Sequence, residues 1–181
     1  LPGIPNILCL SMLGKSSVTF PSASKPLIIP MFCLNVETKE RFKHHIMIKH
    51  DDLRTDMIVM NAMRLVKCIM EQDTILKIPT VLYNIIPLSP EMGMLEMIND
   101  AETLYKINKH SSLQNHILDH NPSMTVEQIR TRIAESFSVA CVTSFLFGFG
   151  DRHLENVMVT NSGLVFHIDY QYILGQTPLS K

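Results

Sequence analysis

The chain has no tryptophan, only seven glycines, and four cysteines too scattered to work together. Cys9, Cys33, Cys68 and Cys141 form no C-x-x-C pair, which argues against a zinc site and against a disulfide framework and favours a reducing, cytoplasmic compartment. Cys68 and Cys141 fall in apolar helical patterns and are predicted to be small core residues. Charge of one sign is also missing. Sixteen Lys and Arg against 17 Asp and Glu leave a net charge of −1, so no global field draws the chain to nucleic acid or to an anionic bilayer. No apolar run reaches the roughly 18 residues of a spanning helix. The opening "LPGIPNILCLSMLG" has no basic n-region and holds two prolines, unlike a signal peptide. With no polybasic stretch or lipidation signal, any membrane association is expected to be peripheral and driven by partners. Because the chain begins with Leu1, it is expected to be a piece of a longer protein.

What is present is apolar and rich in methionine: 46% hydrophobic residues, twelve of all residues being Met, in a length that suits one domain or two small lobes. Alternation and turn residues predict strands at "NILCLSML", "KPLIIPMFCLNV" and "HHIMIKH", with the polar loop "GKSSVTFPSASKP" between the first two. Residues 51–73 read as a helix, capped by Asp51 or Asp52, in which Leu53, Met57, Met60, Met63, Val66 and Met70 recur every three or four positions. "TVLYNIIPL" and "GMLEMI" read as two further strands joined at "SPEM". After a polar middle section, Thr125 and Gln128 form a capping box for a second long helix that stops at Gly148. The expected fold is therefore α+β in two lobes, 1–98 and 99–181.

The densest polar stretch is "GDRHLENVMVTNSGLVFHIDY", residues 150–170. "NSG" signals a hairpin turn. With Ser162 and Gly163 as a two-residue loop, Asn161 faces Leu164, and counting outward brings Asn156 opposite Asp169. Facing side chains have Cβ atoms roughly 4.5–5.5 Å apart. An amide oxygen and a carboxylate at that separation suit Mg²⁺, which takes oxygen ligands and shares its shell with water and phosphates. Either residue alone is an ordinary turn former, and a slip of one position would reverse the facing of Asp169. Asp151, Arg152 and His153 stand just upstream, where a histidine can take a proton from a hydroxyl. His167 lies on the returning strand, with a structural role in orienting Asp169 as open as a chemical one.

These residues together resemble the catalytic and metal-binding loops of the phosphatidylinositol 3-/4-kinase superfamily, G-D-R-H-x-x-N followed by H-I-D-F. "IKHDDLRTDM" is similar to the family's K-x-x-D-D-L-R-Q-D-M, "SASKPL" to its phosphate-loop segment, and "ILGQTP" to class III phosphatidylinositol 3-kinases. The resemblance implies a two-lobed, protein-kinase-like fold, here incomplete, and the cofactors ATP and Mg²⁺. It implies His153 as base, Asp151 supporting the catalytic loop, and Asn156 and Asp169 holding the metal. Lys49 would contact ATP phosphate, Lys25 the terminal phosphates, and Asp56 and Tyr83 would line the pocket. Glu96 and Ile98 would fall at the hinge, where backbone groups pair with adenine. The implied partners are the membrane lipid phosphatidylinositol and regulatory or scaffold protein subunits.

Four features depart from that pattern. One residue, not two, separates Lys49 from Asp51, and Thr55 replaces Gln. Tyr170 and Gln171 stand where Phe and Gly are usual, which predicts reduced mobility after Asp169. The chain also stops inside the expected activation loop, so the lipid-contacting and membrane-facing parts are expected elsewhere in the full protein. Three activities stay open on this reading: a lipid kinase favouring the 3-position, a serine/threonine protein kinase of the related type, and a pseudokinase scaffold.

Overall fold

A computed structural model of the chain describes residues 4–19, 25–72 and 79–178. It is α+β, as the element pattern predicts, and divides into two compact units: residues 1–60 with 83–99, and residues 61–82 with 100–181. The boundary falls inside the first long helix. The segment 61–82, which a division at 98 places with the first lobe, groups with the second unit.

The first unit is built on an antiparallel sheet. Its strands are β1 (Ile7–Met12), β2 (Val18–Thr19), β3 (Leu27–Asn35) and β4 (Arg41–Lys49), followed after the helix by β5 (Ile85–Ser89) and β6 (Met92–Glu96). The order is β1-β3-β4-β6-β5, with β2 also paired to β3. Alternation decides the faces. Ile29, Met31 and Cys33 are buried together, against Leu27, Phe42, Ile46 and Ile48, and the register Ile29↔Ile46 and Cys33↔Phe42 puts these residues on one side. The β3–β4 turn closes where Asn35 Oδ1 accepts the Glu37 and Thr38 N–H groups at 2.9 and 3.2 Å, an Asx turn that releases the chain from the ladder. Helix α1 (Arg54–Glu71) starts where Asp52 Oδ1 accepts the Arg54 N–H at 3.1 Å. The Arg54 guanidinium also clasps that carboxylate, and these bonds lower the Asp52 pKa to about 2.

The second unit contains the later turns of α1, then β7 (Ala101–Thr103), α2 (Leu104–His110), α3 (Leu113–His120), α4 (Val126–Phe147), β8 (Val157–Thr160) and β9 (Val165–His167). The three strands form an antiparallel sheet in the order β7-β8-β9. Ile107, Ile117, Ile129, Ala140, Val157, Val159 and Val165 make its core, each large side chain contributing about 1.5–3 kcal/mol relative to exposure. The Thr125–Gln128 capping box is present, with bonds of 2.8 and 3.2 Å, and Gly148 ends α4 in the left-handed region at φ 56°. Helices α2 and α3 occupy the polar middle section where no element was expected. Cys68 and Cys141 are exposed rather than in the core. Cys68 lies off the stripe of α1 that buries Met60 and Met63, and Ile69 and Val142 beside the two cysteines are exposed too.

Candidate active site

The hairpin that carries the predicted metal residues folds with a different register. Val157 faces His167, Met158 faces Phe166 and Val159 faces Val165, so Asn156 comes opposite Ile168, whose N–H donates to the Asn156 carbonyl at 3.1 Å. The loop has three residues, not two. The Thr160 carbonyl accepts from Gly163, the Thr160 N–H donates to Leu164, and Gly163 takes φ 89°, the arrangement of a turn followed by a glycine bulge. The expected Asn156–Asp169 pairing on the ladder is therefore displaced by one position. Asp169 lies two residues beyond β9 at φ 60°, so strand alternation no longer sets where its carboxylate points.

Other contacts organise the two loops. Asn156 is buried; its side-chain amide donates to the Asp151 carbonyl at 3.0 Å and its N–H donates to the His153 carbonyl at 2.9 Å. With the amide nitrogen so engaged, Oδ1 remains as an acceptor. His153 is exposed; its Nδ1 meets the Glu155 N–H at 3.2 Å, and its Nε2 lies 3.8 Å from Asp151 Oδ2. Arg152 bridges the loops: Nε donates to the Gly150 carbonyl at 2.6 Å, Nη1 to that of Ile168 at 2.8 Å, and Nη2 to that of Asp169. No local pattern announces such a reach across sixteen or seventeen residues, and sequence reasoning gave Arg152 no role.

His167 has a structural setting. Its Nε2 meets Ser144 Oγ of α4 at 3.0 Å. Burial, and then the positive charge of Arg152, lower its pKa to about 4, so the ring is neutral near pH 7. Ser136, fully buried on the same helix, accepts the Val165 N–H at 2.7 Å and donates to the Val165 carbonyl at 3.1 Å. One serine thus satisfies both main-chain groups of an edge residue and pins β9 to α4.

The first unit places the other candidates. Lys49 ends β4, opposite Gly93, with its ammonium 2.8 Å from Asp51 Oδ2 and its side chain 17% exposed. Asp56, in the first turn of α1, and Tyr83 are both buried. Glu96 faces Ile46 across the ladder, so its carboxylate lies on the opposite side of the sheet from Lys49. There it accepts from the Asn84 N–H and side-chain amide at 3.0 and 2.7 Å and comes within 3.8 Å of His44 Nε2. Ile98 follows just past β6, half-buried, and Lys25 is exposed at φ 41°. Ser22, Ala23 and Ser24 of "SASKPL" lie outside the described residues.

A family profile described as "Phosphatidylinositol 3- and 4-kinase" matches residues 43–180. The chain belongs to the phosphatidylinositol 3- and 4-kinase family. It is 31% identical to phosphatidylinositol 3-kinase VPS34 of Saccharomyces cerevisiae over 98% of this chain and 20% of that protein. It is 28% identical to phosphatidylinositol 3-kinase VPS34 of Arabidopsis thaliana over 98% of this chain and 22% of that protein. A probable phosphatidylinositol 3-kinase VPS34 homolog of Encephalitozoon cuniculi is 30% identical over 88% of this chain and 33% of its own length. The chain thus spans a fifth to a third of these relatives. Against the family pattern, Tyr170 is a substantive departure: it is fully buried, and its hydroxyl donates to the His167 carbonyl at 2.7 Å, a bond that the usual Phe cannot make.

The donor set fits a hard cation. Asn156 keeps an amide oxygen and Asp169 supplies a carboxylate, the ligand types that Mg²⁺ prefers. Among the described residues no group of three or more His, Cys, Asp or Glu could hold a metal, so a cation here would complete its shell with water and phosphate oxygens.

Proposed function

We propose that the protein containing this chain is an ATP- and Mg²⁺-dependent kinase that phosphorylates the inositol ring of phosphatidylinositol, at the 3-position. The observation that carries this reading is the Arg152 bridge, which ties the loop bearing Asp151, His153 and Asn156 to the carbonyls around Asp169. Family membership and the names of the relatives supply the substrate class. Mg²⁺ bound by Asn156 and Asp169 would offset the charge of the triphosphate during transfer.

The remaining steps fall to side chains. The Glu155 N–H directed at His153 Nδ1 assigns the neutral ring's proton to Nε2, which faces Asp151. A proton removed from the inositol hydroxyl then goes to Nδ1, replacing the Glu155 contact, and Asp151 stabilises the resulting imidazolium. Lys49 would exchange its Asp51 partner for a phosphate oxygen, and Lys25 would approach the terminal phosphates. Asp56 and Tyr83 would line the nucleotide pocket, with the Glu96 and Ile98 main chain meeting adenine. The 1–98 and 99–181 parts would act as the N-lobe and the beginning of the C-lobe. Regulatory or scaffold subunits would bring the protein to the membrane from the cytoplasm; no described helix is long and apolar enough to cross a bilayer.

The test is a thin-layer assay of the full-length protein with radiolabelled ATP, phosphatidylinositol and a peptide mixture. Label co-migrating with phosphatidylinositol 3-phosphate is expected. Label on peptide instead identifies a protein kinase, and label on neither identifies a scaffold; both contradict the proposal.

A further inference from the structure

Three consecutive carbonyls flank the metal aspartate, and each accepts from a side chain. The Tyr170 hydroxyl donates to His167 at 2.7 Å, Arg152 Nη1 to Ile168 at 2.8 Å, and Arg152 Nη2 to Asp169. Asp169, two residues past the end of β9, adopts φ 60°, a left-handed conformation that costs a residue with a Cβ, though less for Asp and Asn than for the others. Such a backbone persists only where its surroundings over-determine it. The β-ladder cannot do so, since β9 ends at His167.

Tyr170 is itself immobilised. It is fully buried, its ring lies 4.8 Å from that of Phe149, and its hydroxyl stands 4.0 Å from Met63 Sδ. The Arg152 guanidinium lies over both rings, 5.8 Å from Phe149 and 5.7 Å from Tyr170. The Phe-Gly pair usual in the family would keep the ring, lose the hydroxyl, and add a flexible residue at the position of Gln171.

We infer that Tyr170 and Arg152 form a clamp that fixes Asp169 in its metal-binding conformation before cation or nucleotide arrives, with Tyr170 acting as a positioning residue. The link to the cation rests on the kinase reading above; the clamp itself does not. The loop is therefore held ready, and the mobility that Phe-Gly would give it is removed.

Tyr170→Phe in the full-length protein deletes one hydroxyl and leaves the ring. Two measurements follow. Hydrogen–deuterium exchange of a peptide covering 167–172, without nucleotide or metal, should accelerate about two- to tenfold, the range that one neutral hydrogen bond sets. The Mg²⁺ concentration for half-maximal turnover should rise by a similar factor, with the KM for lipid unchanged, and Arg152→Lys should raise it further. Unaltered exchange overturns the clamp whatever the activity. Faster exchange with an unaltered Mg²⁺ requirement overturns its link to the cation. If the unsubstituted protein has no Mg²⁺-dependent turnover, the kinase reading fails, and the exchange result still decides the clamp.

Discussion

Acid should destabilise the second unit through His167 before its carboxylates titrate. The ring, half-buried on β9, meets Ser144 Oγ of α4 at 3.0 Å and stands in the field of Arg152; desolvation and that charge lower its pKa to about 4. An unfolded histidine titrates near 6.5. Between these values the unfolded chain binds a proton that the folded chain refuses, so stability falls as pH falls. The contribution is intact above pH 6.5, has dropped by about 2 kcal/mol at pH 5, and by about 3 kcal/mol at pH 4. His44 and His116, whose pKa values burial also lowers, add slopes of the same sign. Urea unfolding at pH 7 and pH 5, comparing the protein with His167→Gln, isolates the His167 part. The variant should lose about 2 kcal/mol less on that change of pH. NMR of the ring should show no titration above pH 5. A ring titrating near 6.5, or an equal pH slope in the variant, would refute the reasoning.

Ser136→Ala removes the partner of both Val165 main-chain groups and should cost about 2–3 kcal/mol in urea unfolding. Thr125→Ala removes the capping-box acceptor of α4 and should cost about 1 kcal/mol by the same measurement. His153→Ala should lower kcat by on the order of 10²–10⁴ in the lipid assay, and an unchanged rate would remove it as base. Lys49→Met should weaken ATP binding about 10- to 100-fold by calorimetry, while the circular dichroism spectrum stays the same.

The capped helix and the alternating strands were legible because their signals are local. Thr125 and Gln128 act across three residues, Gly148 sits at the stop it marks, and the β3 and β4 residues alternate as the sheet requires. Helices α2 and α3 carried local signals as well. Thr103 and Ser112 each accept an N–H three residues on, but each helix fully buries a single residue, Ile107 or Ile117, too little to mark an apolar stripe. The hairpin register failed on one residue of loop. "TNSGL" accommodates two loop residues or three, and the Thr160 hydroxyl accepting the Leu164 N–H at 3.0 Å favours three. The site residues were recognisable as a motif. What holds them was not: Arg152, Ser144 and Ser136 reach partners 16, 23 and 29 residues away, separations that no spacing rule covers.

Calorimetric titration of ATP into the full-length protein, with and without Mg²⁺, tests most directly whether Asn156 and Asp169 hold a catalytic cation. Binding should require Mg²⁺, and Asp169→Asn should abolish this Mg²⁺-dependent binding. Mg²⁺-dependent binding that is the same in the variant as in the unsubstituted protein would contradict the account.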